Sequence, residues 1–172
     1  MAIIRELRGF TPKFGKDCFL AENAAIIGDV TMGDDCSIWY GTVLRGDVNT
    51  IKIGDRVNIQ DGAVVHTLYE RSVSEIGNDV SVGHNAIIHG ATIEDSCLIG
   101  MGATVLDNAV VGKGCIIAAN ALILSRSILE PYGVYAGVPA KRVKDITPEQ
   151  QKNIVERTAR DYMLYASWFK EE

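Results

Sequence analysis

Ile93-Glu94-Asp95-Ser96-Cys97-Leu98-Ile99-Gly100-Met101-Gly102-Ala103-Thr104-Val105-Leu106-Asp107-Asn108-Ala109-Val110-Val111 decides the fold. Aliphatic residues stand at Ile93, Ile99, Val105 and Val111, and a small residue follows each four places later: Cys97, Ala103, Ala109 and Cys115. An α-helix returns apolar residues to one face every three or four positions, and a hairpin strand alternates every second one. A period of six sustained this long fits neither. It is the sequence mark of a parallel β-helix built from hexapeptides.

Downstream, the same lattice continues through Ile117 and Ile123. Upstream it runs through Ile88, Val82 and Ile76, then, beyond one interruption, Val65, Ile59 and Ile53. Beyond a second interruption come Leu44, Ile38, Met32, Ile26, Leu20 and Phe14. Taken in threes, these anchors make triangular coils: 14/20/26, 32/38/44, 53/59/65, 76/82/88, 93/99/105 and 111/117/123. Coils stacked at the ~4.8 Å spacing of hydrogen-bonded strands bury anchors and small residues in one continuous core. Gly28, Gly33, Gly54, Gly77, Gly83, Gly100 and Gly112 fall near the corners, where they are expected to relax the backbone dihedrals. No proline interrupts the chain between Pro12 and Pro131, as a ladder that needs its backbone donors requires.

The six-residue pattern stops after residue 125, and Pro131 to Ile146 reads as an extended connector. Thr147-Pro148-Glu149-Gln150 has the form of a helix start, with Thr147 as N-cap, proline at the first helical position and Gln150 closing a capping box. Ile154, Thr158, Tyr162, Tyr165 and Phe169 then share one stripe of a helix expected to pack outside the solenoid. The expected organisation is a β-helix over 1–130, N-terminal strand included, with a connector and helix over 131–172 packed on it.

Seventeen basic and twenty-two acidic residues give a net charge of −5, without the basic stripe that nucleic acid requires. No stretch is long and apolar enough to span a bilayer. Arg5, Glu6 and Arg8 break up any secretory apolar run. The four cysteines, Cys18, Cys36, Cys97 and Cys115, all take inward lattice positions and read as small buried hydrophobes. With no sign of an oxidising compartment, the cytoplasm is the expected location.

The only histidines are His66, His84 and His89. His66 follows anchor Val65 and His89 follows anchor Ile88, so both point outward from the third side of successive coils and stack. His84 comes two places after Val82, on the second side. An extended reach of up to ~17 Å separates it from His89, too far for all three to share one ion within a chain. Isolated surface histidines are the plain alternative. If second and third sides of neighbouring copies meet around a threefold axis, however, His84 of one copy faces His66 and His89 of the next. Three imidazoles with one open position form the ligand set of a catalytic zinc that holds water. Arg45 shares the column of His66 and Asp61 that of His84, so Arg45 and Asp47 would face Asp61 across the seam. Breaking such an interfacial pair can cost ~3–5 kcal/mol. Gln60 points outward nearby, an amide suited to orient hydroxide, with Asn58 two places away.

These residues resemble the γ-class carbonic anhydrases. The resemblance rests on Arg45-Gly46-Asp47, Asn58-Ile59-Gln60-Asp61, His66, Gly83-His84-Asn85, His89-Gly90 and the Gly137-Val138-Pro139-Ala140-Lys141 exit before a C-terminal helix. It implies a left-handed β-helix assembled as a homotrimer. It also implies a metal between subunits, held by His66 and His89 of one chain and His84 of the next, with Arg45, Asp47 and Asp61 supporting the ligands and the interface. The implied activity is reversible hydration of CO2 to bicarbonate, with Zn2+ as the metal and Fe2+ or Co2+ as alternatives. Gln60, Asn58 and Tyr162 are the candidate catalytic residues, Tyr162 because it resembles a family tyrosine that reaches the site from the helix. The chain departs from the family's long form: the acidic loop between the first two ligands is absent, and Val48 stands where a glutamate is expected. It matches the shorter subgroup. Rival readings are a hexapeptide acyltransferase using one histidine as general base, a metal-dependent hydrolase of small thioesters, and a trimeric scaffold stabilised by its metal.

Overall fold

Each anchor from Ile26 to Ile123 is buried, and so are the small residues opposite them from Ala24 to Ala121. A computed structural model describes residues 1–170; Glu171 and Glu172, the end of the expected C-terminal segment, lie outside the described residues. The chain forms a parallel β-solenoid. Its second side stacks Phe19–Leu20, Ser37–Ile38, Asn58–Ile59, Ser81–Val82, Leu98–Ile99 and Ile116–Ile117 in one sheet. The first and third sides share the other sheet. The long strand Val43–Ile53 turns the corner between them and pairs with Val64–His66 on one side and Ser74–Ile76 on the other.

The solenoid is longer at both ends than the hexapeptide count. Ile3–Arg5 pairs with Ala25–Ile27 as an extra third-side rung. Ile128–Leu129 pairs with Val110–Val111, and Val134–Tyr135 pairs with Ile116–Ile117. The segment expected to be a connector therefore carries another rung, and the strand Ala140–Asp145 then folds back antiparallel on it. Leu129 and Tyr135 extend the six-residue step from Ile123. The polar stretch before Leu129 and Pro131 after it hide that continuation in the sequence.

Two devices keep coils in register across the interruptions. Side-chain oxygens of Asp34, Asp55, Asn78 and Asp95 accept hydrogen bonds of 2.7–2.9 Å from the backbone amides of Lys16, Asp34, Asp55 and Asn78 on the preceding coil. These bonds satisfy corner N–H groups that would otherwise lack partners. The corner glycines act differently from expectation: among those seven, only Gly28 has a left-handed φ, of 74°. Gly54 is instead required by close stacking, because a Cβ there would meet Asn78 Oδ1 at 2.5 Å.

Thr147 caps the helix start, and Gln150 returns its side chain to the Thr147 amide at 3.1 Å, the expected capping box. The helix then passes through a π-helical stretch, Gln151–Glu156, into α-helix Arg157–Trp168. Its buried residues are Val155, Ala159 and Ala166, whereas Ile154 is 38% exposed. The packed stripe is thus Val155, Ala159, Tyr162, Ala166 and Phe169, one position away from the expected stripe at its start. The two alanines let the helix lie close on the second side. Aromatic rings fasten it there: Trp39 meets Phe19 at 5.1 Å, Tyr162 at 5.4 Å and Phe169 at 5.6 Å between centroids.

Candidate metal centre

The ladder makes His66 and His89 register partners on adjacent coils. Their rings cross at 65°, and His66 Nδ1 lies 3.1 Å from His89 Nε2. The other nitrogen of each ring meets a carboxylate. His66 Nε2 is 2.9 Å from Asp47 Oδ1, and His89 Nδ1 is 3.0 Å from both oxygens of Asp107. An ionised carboxylate only accepts, so each of these nitrogens carries the proton. In the neutral rings, the two nitrogens that face one another are then both lone pairs. That arrangement repels unless a positive species, a proton or a metal cation, stands between them.

His84 repeats the pattern on the second side. Its Nδ1 lies 2.9 Å from Asp61 Oδ2, which leaves Nε2 as the free lone pair. Three histidines thus have one nitrogen tied to a carboxylate and the other open, the arrangement by which proteins fix the tautomer and basicity of metal-binding imidazoles. Among the described residues, no group of three His, Cys, Asp or Glu side chains within one chain is placed to hold a metal.

Burial would raise the Asp47 carboxyl, but hydrogen bonds from His66 and Arg45 outweigh it and hold it below the usual range. Asp107 is likewise held down, against burial, by Ser72 and His89. Arg45 forms its ion pair with Asp47 of its own chain. Each of the three interface candidates, Arg45, Asp47 and Asp61, therefore has a charge or histidine partner without a second copy.

Of the candidate catalytic residues, Gln60 and Asn58 lie on the solenoid and Tyr162 on the C-terminal helix. Gln60 is buried, its Nε2 donating to Asn58 Oδ1 at 3.0 Å, and Asn58 Nδ2 donates onward to Ser81 Oγ at 2.8 Å. Asn58 thus holds the Gln60 amide in one orientation. Among the described residues, neither bonds to a histidine. Tyr162 packs on Trp39 and also brings its hydroxyl to 3.5 Å from His84 Nε2, a long contact. Burial, helped by the charge of Asp61 and by Tyr165, pushes its pKa up to about 12. At neutral pH Tyr162 keeps its proton and can donate it in a hydrogen bond.

Asp107 is absent from the sequence reading. It stands two places after anchor Val105, whereas His89 stands one place after Val105's register partner Ile88, so the lattice alone does not stack the two. No aspartate there is paired with a histidine in the linear sequence, and only the corner fold brings the two together.

A stacked hexapeptide solenoid carrying three carboxylate-oriented histidines places the chain among the hexapeptide-repeat proteins. Residues 90–125 match the family described as "Bacterial transferase hexapeptide (six repeats)". A Methanocaldococcus jannaschii protein named "Probable carbonic anhydrase" is 49% identical over 84% of this chain and 91% of its own length. The mitochondrial gamma carbonic anhydrase 2 of Arabidopsis thaliana is 42% identical over 91% of this chain, which spans 58% of that relative's length. A crystal structure of a Bacillus cereus protein provisionally named an acetyltransferase superimposes with a TM-score of 0.95 at 36% identity, covering 99% of this chain and 98% of that one. The chain belongs to the γ-class carbonic anhydrase family.

Proposed function

We propose that the chain interconverts CO2 and bicarbonate at a three-histidine metal site shared between neighbouring copies of a homotrimer. The observation that carries this reading is the pair of lone pairs that His66 Nδ1 and His89 Nε2 turn towards each other across 3.1 Å. Two nitrogens bound at ~2.0–2.1 Å to one tetrahedral zinc stand roughly 3.3–3.4 Å apart, so a small opening of the pair admits the ion. His84 Nε2, open on the second side, is the candidate third donor, and its distance along the coil points to another copy as its source. Zn2+ is the proposed ion, with Fe2+ and Co2+ compatible with the same donors.

A metal held in this way would lower the pKa of water towards ~7 and so make hydroxide available at neutral pH. The chain's own residues would supply orientation. Asp47, Asp61 and Asp107 keep the three imidazole protons away from the metal-facing nitrogens. Gln60, held by Asn58, keeps one amide N–H and its carbonyl oxygen for the reacting species. Tyr162, protonated at neutral pH, is a hydrogen-bond donor beside His84.

Two experiments test the reading. CO2 hydration is followed by stopped flow on zinc-loaded and iron-loaded protein; a rate at the buffer background with full metal occupancy would leave the scaffold reading. Separately, His84→Ala chains are mixed with His66→Ala chains. Some mixed trimers should recover a complete site, and absence of any recovered metal binding would refute sharing between copies.

A further inference from the structure

A cavity of about 440 Å³ opens beside Asp107, lined by Leu68, Arg71, Asp107, Asn108, Ser125 and Arg126. Its two arginines come from different coils. Arg71 lies in the tight turn closed by Leu68 and Ser72, its amide donating to Leu68 O at 3.1 Å. Arg126 lies at a corner, its amide donating to Asp107 O at 3.0 Å. Both side chains are exposed, and among the described residues neither has a carboxylate within ion-pairing distance. The one carboxylate in the cavity wall is already engaged: Asp107 accepts from Ser72 Oγ at 2.6 Å and from His89 Nδ1 at 3.0 Å.

We propose that this cavity is an oxyanion site, in which Arg71 and Arg126 together bind a carboxylate- or phosphate-class anion. Guanidinium groups present planar forks of donors that match such oxyanions, and Asn108 and Ser125 add neutral polar groups to the wall. The chain as a whole carries −5 and repels anions, so a local pair of unpaired arginines is where one would be held. The volume falls within the range of small-molecule sites. Asp107 joins this site to His89, which places the bound anion next to the candidate metal centre. Two sources share the chemistry: bicarbonate itself, or the phosphate of a larger ligand. The inference is independent of the metal reading, because it needs neither a metal nor a second copy.

The test is calorimetric titration of the metal-loaded protein, and of the same protein stripped by chelator, with bicarbonate, inorganic phosphate and pyrophosphate at constant ionic strength. Binding to both forms is expected. Arg71→Gln and Arg126→Asn, the latter chosen because asparagine tolerates the left-handed φ of 63° at that corner, should each weaken it at least tenfold. Metal content should stay unchanged, and the distant control Lys144→Gln should bind like the wild type. Bicarbonate binding as tightly as phosphate would assign the site to the reaction's own anion. Preference for phosphate and pyrophosphate would assign it to a phosphate-bearing ligand. The proposal is overturned if no anion binds, if binding disappears with the metal, or if the control weakens it as much as the arginine variants do.

Discussion

Ser72 Oγ and His89 Nδ1 converge on one carboxylate, that of Asp107, at 2.6 Å and 3.0 Å. Ser72 sits in the turn that follows His66, and it also receives the Leu68 amide at 3.0 Å. The turn after one candidate ligand therefore helps to orient the other. Asp107→Ala should free the His89 ring and remove the partner that fixes its tautomer. The expected loss is about 10–100-fold in zinc affinity, measured by competition with a chromophoric chelator. Ser72→Ala should lose less, because His89 keeps its carboxylate. Equal affinity of Asp107→Ala and the wild type would remove Asp107 from the site.

Tyr162 offers a test by pH. Its pKa is raised from an ordinary 10.0 to about 12, chiefly by burial. The folded chain keeps this proton after the unfolded chain has lost its own. The resulting stability is intact below about pH 10 and falls as pH rises from 10 towards 12. Tyr162→Phe keeps the ring against Trp39 and removes the titration. Its Tm should therefore decline less steeply than the wild type over that window, and the highest step of the tyrosinate absorbance titration should shrink. An unchanged titration curve would place the Tyr162 hydroxyl in water.

The period-six lattice was legible because inward positions tolerate only aliphatic and small residues, so Ile93, Ile99 and Val105 declare themselves. The stacking of His66 on His89 followed from their equal offset from Val65 and Ile88. Legibility failed where chemistry rather than volume decides. The rung at Leu129 and Tyr135 was masked by Pro131, whose missing N–H reads as an end to pairing. The buried helix stripe is hard to read from the sequence because Ala159 and Ala166 pack closely through their smallness, while the bulkier Ile154 stays outside. Asp107 is illegible in the sequence because its partners come from other coils, and nothing in its neighbours along the chain marks a charged group about to be paired.

The four thiols should differ sharply in reactivity. Cys18 is half-buried, and the neighbouring Cys36 thiol pulls its pKa down to about 7 against the opposing effect of burial. The Cys18 thiol beside it and burial push Cys36 up, and burial raises Cys97 to about 12 and also raises Cys115. Thiolate is the nucleophile, so iodoacetamide at neutral pH should label Cys18 and spare the other three in the native protein. Peptide mass spectrometry reads the outcome. Comparable labelling of Cys97 or Cys115 would mean that the solenoid core opens on the timescale of the reaction.

Gly54 tests how tightly the coils are stacked. An added Cβ would stand 2.5 Å from Asn78 Oδ1 and 2.9 Å from the Gly77 carbonyl carbon. Asn78 Oδ1 is not free to retreat, since it accepts the Asp55 amide at 2.8 Å and that bond locks one coil to the next. Gly54→Ala should therefore destabilise the fold by about 1–3 kcal/mol, read from the urea midpoint. Asn78→Ala clears the first contact and gives up the Asp55 bond. The Gly54→Ala/Asn78→Ala double variant should consequently be less destabilised than the sum of the singles, by at least about 0.5 kcal/mol, because the two changes share one cause. Strict additivity would mean that the corner yields through its backbone, and that the Asn78 side chain does not set the distance between coils.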